Sequence, residues 1–202
     1  MDRKILWVGF TSLAIVITTI FLSLLFAKSE SFRGTAYNEP YPLAPEFELI
    51  HSSGEPFRLS DQRGRIILLF FGYTFCPDVC PATLAELNAA LSKIPDEAGS
   101  VQVVFISVDP DRDTPQLVQE YVERFNPSFI GLSGPIEDLG KIWQDYDIFR
   151  EVVESDAGLS TVNHTARVLL IDVDGNMRLS YAFGTPVEDI VSDLKLLLEK
   201  SQ

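Results

Sequence analysis

Two cysteines lie four residues apart in Gly72-Tyr73-Thr74-Phe75-Cys76-Pro77-Asp78-Val79-Cys80-Pro81. On a helix, this C-x₃-C spacing puts both sulfurs on one face, with Cβ atoms about 5–6 Å apart. Three chemistries are open to such a pair. Two soft thiolates can grip one metal ion. The spacing is slightly wide for a relaxed disulfide, yet within reach after a small backbone movement. A helix N-terminus also stabilises a reactive thiolate through its free N–H groups and dipole. A purely stabilising disulfide is the weakest reading, because so short a loop removes little chain entropy. As a metal site, two sulfurs are incomplete, and imidazole is a suitable third ligand for copper. The chain has two histidines. His51, beside Ser52-Ser53-Gly54, reads as a turn residue. His164, in Thr161-Val162-Asn163-His164-Thr165, is far from Cys80 in sequence, so only the fold can bring them together. Taken by itself, it reads as a structural histidine.

Counting narrows the chemistry further. The 202 residues include only two Cys, two His and two Met. A disulfide-dense scaffold, a Cys₄ zinc site and a Met-rich copper motif are excluded. The formal net charge of −13 argues against nucleic acid as a partner.

The elements that must position these residues can be read along the chain. Residues 1–4 are a short basic N-terminus, and Ile5 to Ala27 is an uncharged run of 23 residues. It would make about 34 Å of helix, enough to cross a bilayer. Its length and the poor cleavage site at Phe26-Ala27-Lys28-Ser29 favour an uncleaved transmembrane anchor over a signal peptide. Arg3 and Lys4 favour a cytoplasmic N-terminus, which places the rest of the chain on the exported, periplasmic side of the inner membrane. Residues 28–45, with Pro40, Pro42 and Pro45, read as an extended linker. Beyond the anchor and its flanks, 13 basic and 28 acidic residues leave a balance of −15, which suits a basic partner.

Residues 46–202 read as one domain. Phe47–Ile50 and Pro56–Leu59 read as short strands, and Arg65–Gly72 and Val101–Val108 as strands buried on both faces. Leu84, Leu87, Leu91 and Ile94 recur at helical spacing. Thr114-Pro115 starts a second helix, and Ile136, Leu139, Trp143 and Tyr146 mark a third. Ala166–Val173 and Met177–Ala182 flank the turn signal Asp174-Gly175-Asn176. Thr185-Pro186-Val187-Glu188 reads as a capping box for the last helix. The order ββ, βα, βα, α, ββ, α describes an α/β three-layer sandwich of thioredoxin-like type. The cysteines then sit at the carboxyl end of the central strand, where open α/β sheets bind ligands.

On these residues the chain resembles the Sco/SenC family of copper-binding proteins. Gly72 through Pro81 follow the family's pattern G-[YF]-T-x-C-P-D-[VI]-C-P without a gap. The stretch Ser107 to Pro115, and His164 followed by Leu169-Leu170-Ile171-Asp172, are also typical of it. The resemblance implies that Cys76, Cys80 and His164 bind one copper ion, with Cu(I) favoured and Cu(II) also open to the site. It further implies assembly of the dinuclear copper centre of cytochrome c oxidase subunit II, with a copper donor protein upstream. One position departs from the pattern, since the family usually carries Asp where this chain has Asn163. That removes a negative charge beside His164 but removes no ligand.

The main alternative is a thiol-disulfide oxidoreductase. Cys76 and Cys80 would form a redox pair that reduces the cysteines of the oxidase subunit before metal arrives, with His164 dispensable. It is the only enzymatic activity the chain suggests, and the resemblance favours a binding and delivery role instead. Asp109, Asp111, Asp113 and Glu120 imitate a calcium loop, but Thr114 stands where that loop needs Gly. These acids read as strand-end and helix-cap residues.

Overall fold

In the computed structural model, residues 16–19, 31–154 and 160–200 are described. The chain divides into two units, Met1–Ser31 and Phe32–Gln202. In the first, Val16 to Thr19 are helical. The rest of the predicted span 5–27 lies outside the described residues. Among the described residues no helix is long and apolar enough to cross a membrane.

The second unit is organised around β4, Ile66–Gly72. Its sequence IILLFFG has no polar face to turn to water, and all seven residues are buried. β5, Val101–Ser107, is equally buried and pairs with β4 in parallel register, Ile66 opposite Val101 through Gly72 opposite Ser107. A third parallel strand, β6 (Ile130–Leu132), continues that side. On the other side of β4 run β9 (Arg167–Ile171) and β10 (Met177–Ala182), both antiparallel to their neighbours. β1, Thr35–Ala36, closes that edge, so the six-stranded order is β1-β10-β9-β4-β5-β6. Two small antiparallel pairs stand apart: β2 (Glu48–Ile50) with β3 (Pro56–Arg58), and β7 (Arg150–Glu154) with β8 (Ser160–His164).

Strand alternation divides the core into two faces. Phe70 meets Phe105 at 5.7 Å between ring centroids, and Phe105 meets Tyr121 of α2, Pro115–Glu123. α1 (Val79–Ser92) lies on that same face, through Cys80, and packs on α4, Val187–Lys200. Phe71 points the other way, toward Tyr146 at the end of α3, Ile136–Asp145. Tyr146 in turn touches Phe47, beside β2. Both faces of the sheet are therefore covered, in a mixed α/β fold of thioredoxin-like type.

Four expectations change. First, the linker 28–45 is largely part of the fold. Thr35–Ala36 pair with β10, and the Arg33 and Gly34 N–H groups donate to the buried Asp193 carboxylate at 2.8 Å each. Leu43 bridges to Asn176. A segment with little apolar content is held here by backbone pairing. Second, β6 was not foreseen, because three residues give no periodicity. Third, the stretch around His164, to which no element was assigned, is a strand, β8, paired with β7. Fourth, Thr185 makes no capping box: its hydroxyl donates back to Ala182 O at 2.8 Å, and α4 starts two residues later. By contrast, Thr114 does cap α2, its Oγ1 accepting from Leu117 N at 3.2 Å.

Candidate metal centre

β4 delivers the cysteine loop to the top of the sheet, and α1 leads away from it. Gly72 must be glycine: a Cβ there would lie 2.9 Å from Cys80 Sγ and 2.7 Å from the Phe105 ring. The missing side chain is the space the Cys80 sulfur occupies. Cys80 is fully buried and Cys76 half-buried, and both are free thiols.

α1 has no side-chain oxygen capping its first turn, although Asp78 holds the N-cap position. The Cys76 sulfur takes that place, accepting from the Cys80 backbone N–H at 3.4 Å. A thiolate there faces the positive end of the helix. The Cys80 thiol donates to Cys76, and this is the largest cause of a Cys76 pKa lowered to about 5; backbone N–H groups of Cys80 and Asp78 add to it. The same hydrogen bond, with burial, pushes the Cys80 thiol far up. The pair thus holds one proton between two sulfurs, with the charge on the outer one.

The loop is braced from below by Asp113, which is 1% exposed. Its carboxylate accepts from Thr74 N at 3.1 Å, from Thr74 Oγ1 at 2.5 Å and from Ser107 Oγ at 2.7 Å. Burial raises the Asp113 pKa, and these three donors oppose that.

His164 ends β8, opposite Arg150. Its Nε2 lies 3.8 Å from Cys80 Sγ. Its Nδ1 lies 3.1 Å from Thr165 O. A carbonyl can only accept, so Nδ1 carries the proton and Nε2 presents a bare lone pair to the sulfur. Burial lowers the His164 pKa, which keeps the ring neutral. Tyr73 packs its ring edge-on to the imidazole at 5.9 Å and 85°. The fold therefore brings Cys76, Cys80 and His164 to one place. Among the described residues, no group of three or more His, Cys, Asp and Glu side chains stands ready-spaced around a metal position. The Cys80 thiol instead donates to Cys76, and His164 Nε2 stays beside it with its lone pair free.

His51 is elsewhere. Its Nε2 lies 3.0 Å from Gln119 Oε1 and its Nδ1 3.0 Å from Ser53 Oγ, so it secures the β2–β3 turn as expected. The calcium-loop imitation dissolves in the same way. Asp109 pairs with Arg112, Asp113 braces the cysteine loop, and Asp111 is exposed.

The sequence assigns no role to Thr74, Arg112 or Arg150, and reads Asp113 only as a strand-end or helix-cap acid, whereas it holds Thr74 and Ser107. Arg112 pairs with Asp109, donates from Nη1 to Ser160 O at 2.8 Å, and lies over the exposed Phe75 ring at 5.1 Å. Arg150 donates from Nε to Val108 O at 2.5 Å and lies over the Trp143 ring at 5.0 Å. The run of charges from Asp109 to Asp113 was the only visible signal, and it carries no mark of partners so far along the chain.

Known proteins of this shape are informative. The SCO1/SenC family model matches residues 35–199. An SCO2-like protein of Rickettsia felis is 30% identical over 161 residues, 79% of this chain and 78% of its own. Among solved structures, apo Sco1 of Thermus thermophilus superposes with a TM-score of 0.75 at 37% identity, covering 85% of this chain and 99% of that one. Bradyrhizobium japonicum ScoI, solved with copper bound, gives 0.70 at 35% identity, covering 77% and 99%. A family match over residues 35–199 and superposition over 85% of the chain leave one conclusion: the chain belongs to the SCO1/SenC family.

Proposed function

We propose that this protein is a membrane-tethered copper chaperone. It holds one copper ion through Cys76, Cys80 and His164 and delivers it to the dinuclear copper centre of cytochrome c oxidase subunit II. The observation that carries the reading is the bare Nε2 of His164, 3.8 Å from the Cys80 sulfur. A neutral imidazole and two sulfurs sharing one proton make a soft, nearly deprotonated donor set, which suits Cu(I) over harder ions. The copper-bound relative from Bradyrhizobium supports the choice of metal. Residues 5–27 serve as the anchor, and the folded unit faces the periplasmic side of the inner membrane. Its acidic surface suits a basic client.

Competitive Cu(I) titration of the reduced protein tests this. We expect one ion per chain. Loss of a ligand should exceed the 10–100-fold cost typical of a lost outer-shell partner, so Cys76→Ala, Cys80→Ala and His164→Ala should each weaken binding by at least about 100-fold. Equally tight binding in His164→Ala and Cys76→Ala would overturn the reading.

The thiolate character of Cys76 favours a second reading, a thiol-disulfide reductase. Cys76 would attack a client disulfide to give a mixed disulfide and release one client thiol. Cys80, losing its proton, would then displace the second, leaving a Cys76–Cys80 disulfide and a client dithiol. Reduction of the oxidase subunit's disulfide that persists in His164→Ala and stops in Cys80→Ser would mark this activity.

A further inference from the structure

The hairpin that carries His164 has little of its own to hold it. β7 and β8 pair only with each other, outside the six-stranded sheet. Within them only Val162 is buried. A lone two-stranded hairpin is marginal in water, so contacts outside it must set where it lies. The main chain anchors one end, since β9 begins three residues after His164. Arg150 secures that same end through Val108 O and Trp143. The far end, at Ser160, is opposite Glu154 and, among the described residues, has no further sheet neighbour.

Arg112 is what reaches it. Its guanidinium is fixed on one side by the buried carboxylate of Asp109, whose side chain is 5% exposed. Nη1 donates to Ser160 O at 2.8 Å. Its Cζ lies over the ring of Phe75, 5.1 Å from the centroid, and over that of Tyr73 at 5.8 Å, both in the cysteine loop. One side chain thus touches the turn after β5, the loop bearing Cys76 and the strand bearing His164. A planar fork that both stacks and donates in two directions is specific to arginine.

We infer that Arg112 is a positioning residue: it ties the β7–β8 hairpin to the cysteine loop and thereby holds His164 against Cys80. The tie itself is independent of metal. Its consequence for copper rests on the reading given under Proposed function.

The test uses the full chain, reduced, with Arg112→Ala and Arg112→Lys. Lysine keeps the charge beside Asp109 but loses the fork, so it tests the tie even if the alanine variant folds poorly. Amide hydrogen exchange is measured first, without copper. Loss of a hydrogen bond from a charged donor should speed exchange of the β7–β8 amides about tenfold or more, with β4 and β5 still protected. Unchanged hairpin exchange overturns the proposal, and so does a uniform rise that includes β4 and β5. Cu(I) competition is measured second, as a cycle with His164→Ala. Arg112→Ala should weaken binding about tenfold when His164 is present and cause no further loss when it is absent. Equal losses in both backgrounds overturn the proposal. If His164→Ala alone costs nothing, the copper reading fails, and the exchange result still judges the tie.

Discussion

The two halves of the candidate site are built by different means. The cysteines sit between the fully buried β4 and the first turn of α1: Cys76 is half-buried in the connecting loop, and the buried Cys80 sulfur occupies space that Gly72 leaves open. The histidine sits on a hairpin with one buried residue, positioned by main-chain continuity with β9 and by two arginines. The first half joins the core directly through the buried Cys80. The second is attached to the core by polar contacts and can be released without unfolding it. A carrier that must hold and then give up an ion is well served by such a division.

The sharpest contrast is in stability. Leu68 in β4 is 0% exposed, and Leu68→Ala should cost about 2–5 kcal/mol in chemical denaturation. For a domain of this size that is a fall of roughly 5–15 °C in Tm. Val153 in β7 is 39% exposed, and Val153→Ala should stay within about 0.5 kcal/mol. Similar costs at the two positions would break the comparison.

Gly72→Ala comes next. The added methyl would meet Phe105 and Cys80 Sγ below 3 Å, and overpacking of this kind costs about 1–3 kcal/mol. It should also displace Cys80, so Cu(I) affinity should fall along with stability. A stable variant with unaltered Cu(I) affinity would show that the Cys80 position is not set by this contact.

The third prediction concerns protons. The Cys76 pKa is lowered, so its thiolate persists above a pH of about 5 and is lost below it. Alkylation of the copper-free protein should therefore be pH-independent across the neutral range and fall off on acidification through that value. Cys76→Ser should leave almost no fast-reacting thiol, because Cys80 is buried and keeps its proton. A midpoint near the ordinary thiol value of about 8.5 would contradict the shared-proton arrangement.

The smallest effect belongs to the surface. Lys93 pairs with Glu188 at 2.6 Å, and this lowers the Glu188 pKa. A lowered carboxylate pKa adds stability above the unfolded value that is lost on acidification. Here the pair is in water and screened, so Lys93→Ala should leave Tm and its salt dependence unchanged within error.

The legibility of the sequence follows the same division. β4, β5 and β10 announce themselves because long apolar or alternating runs have one sensible placement. Scarcity singled out the cysteines, and a chain with two of each left few ligands to choose among. The hairpin REVVE–STVNH was missed because neither strand has the regular apolar alternation that a sheet facing a core imposes. Thr35–Ala36 was missed because two residues between prolines and glycine carry no pattern, although backbone pairing and Asp193 secure them. Asp113 and Arg112 were visible as charges only. Their partners, Thr74 and Ser160, are 39 and 48 residues away, and only the folded sheet brings them close.

X-ray absorption at the copper edge of the Cu(I)-loaded, reduced protein tests the central claim most directly. The account predicts two sulfur ligands and one imidazole nitrogen, with the nitrogen lost in His164→Ala and one sulfur lost in Cys76→Ala. A two-sulfur spectrum that is identical in the parent chain and in His164→Ala would contradict it.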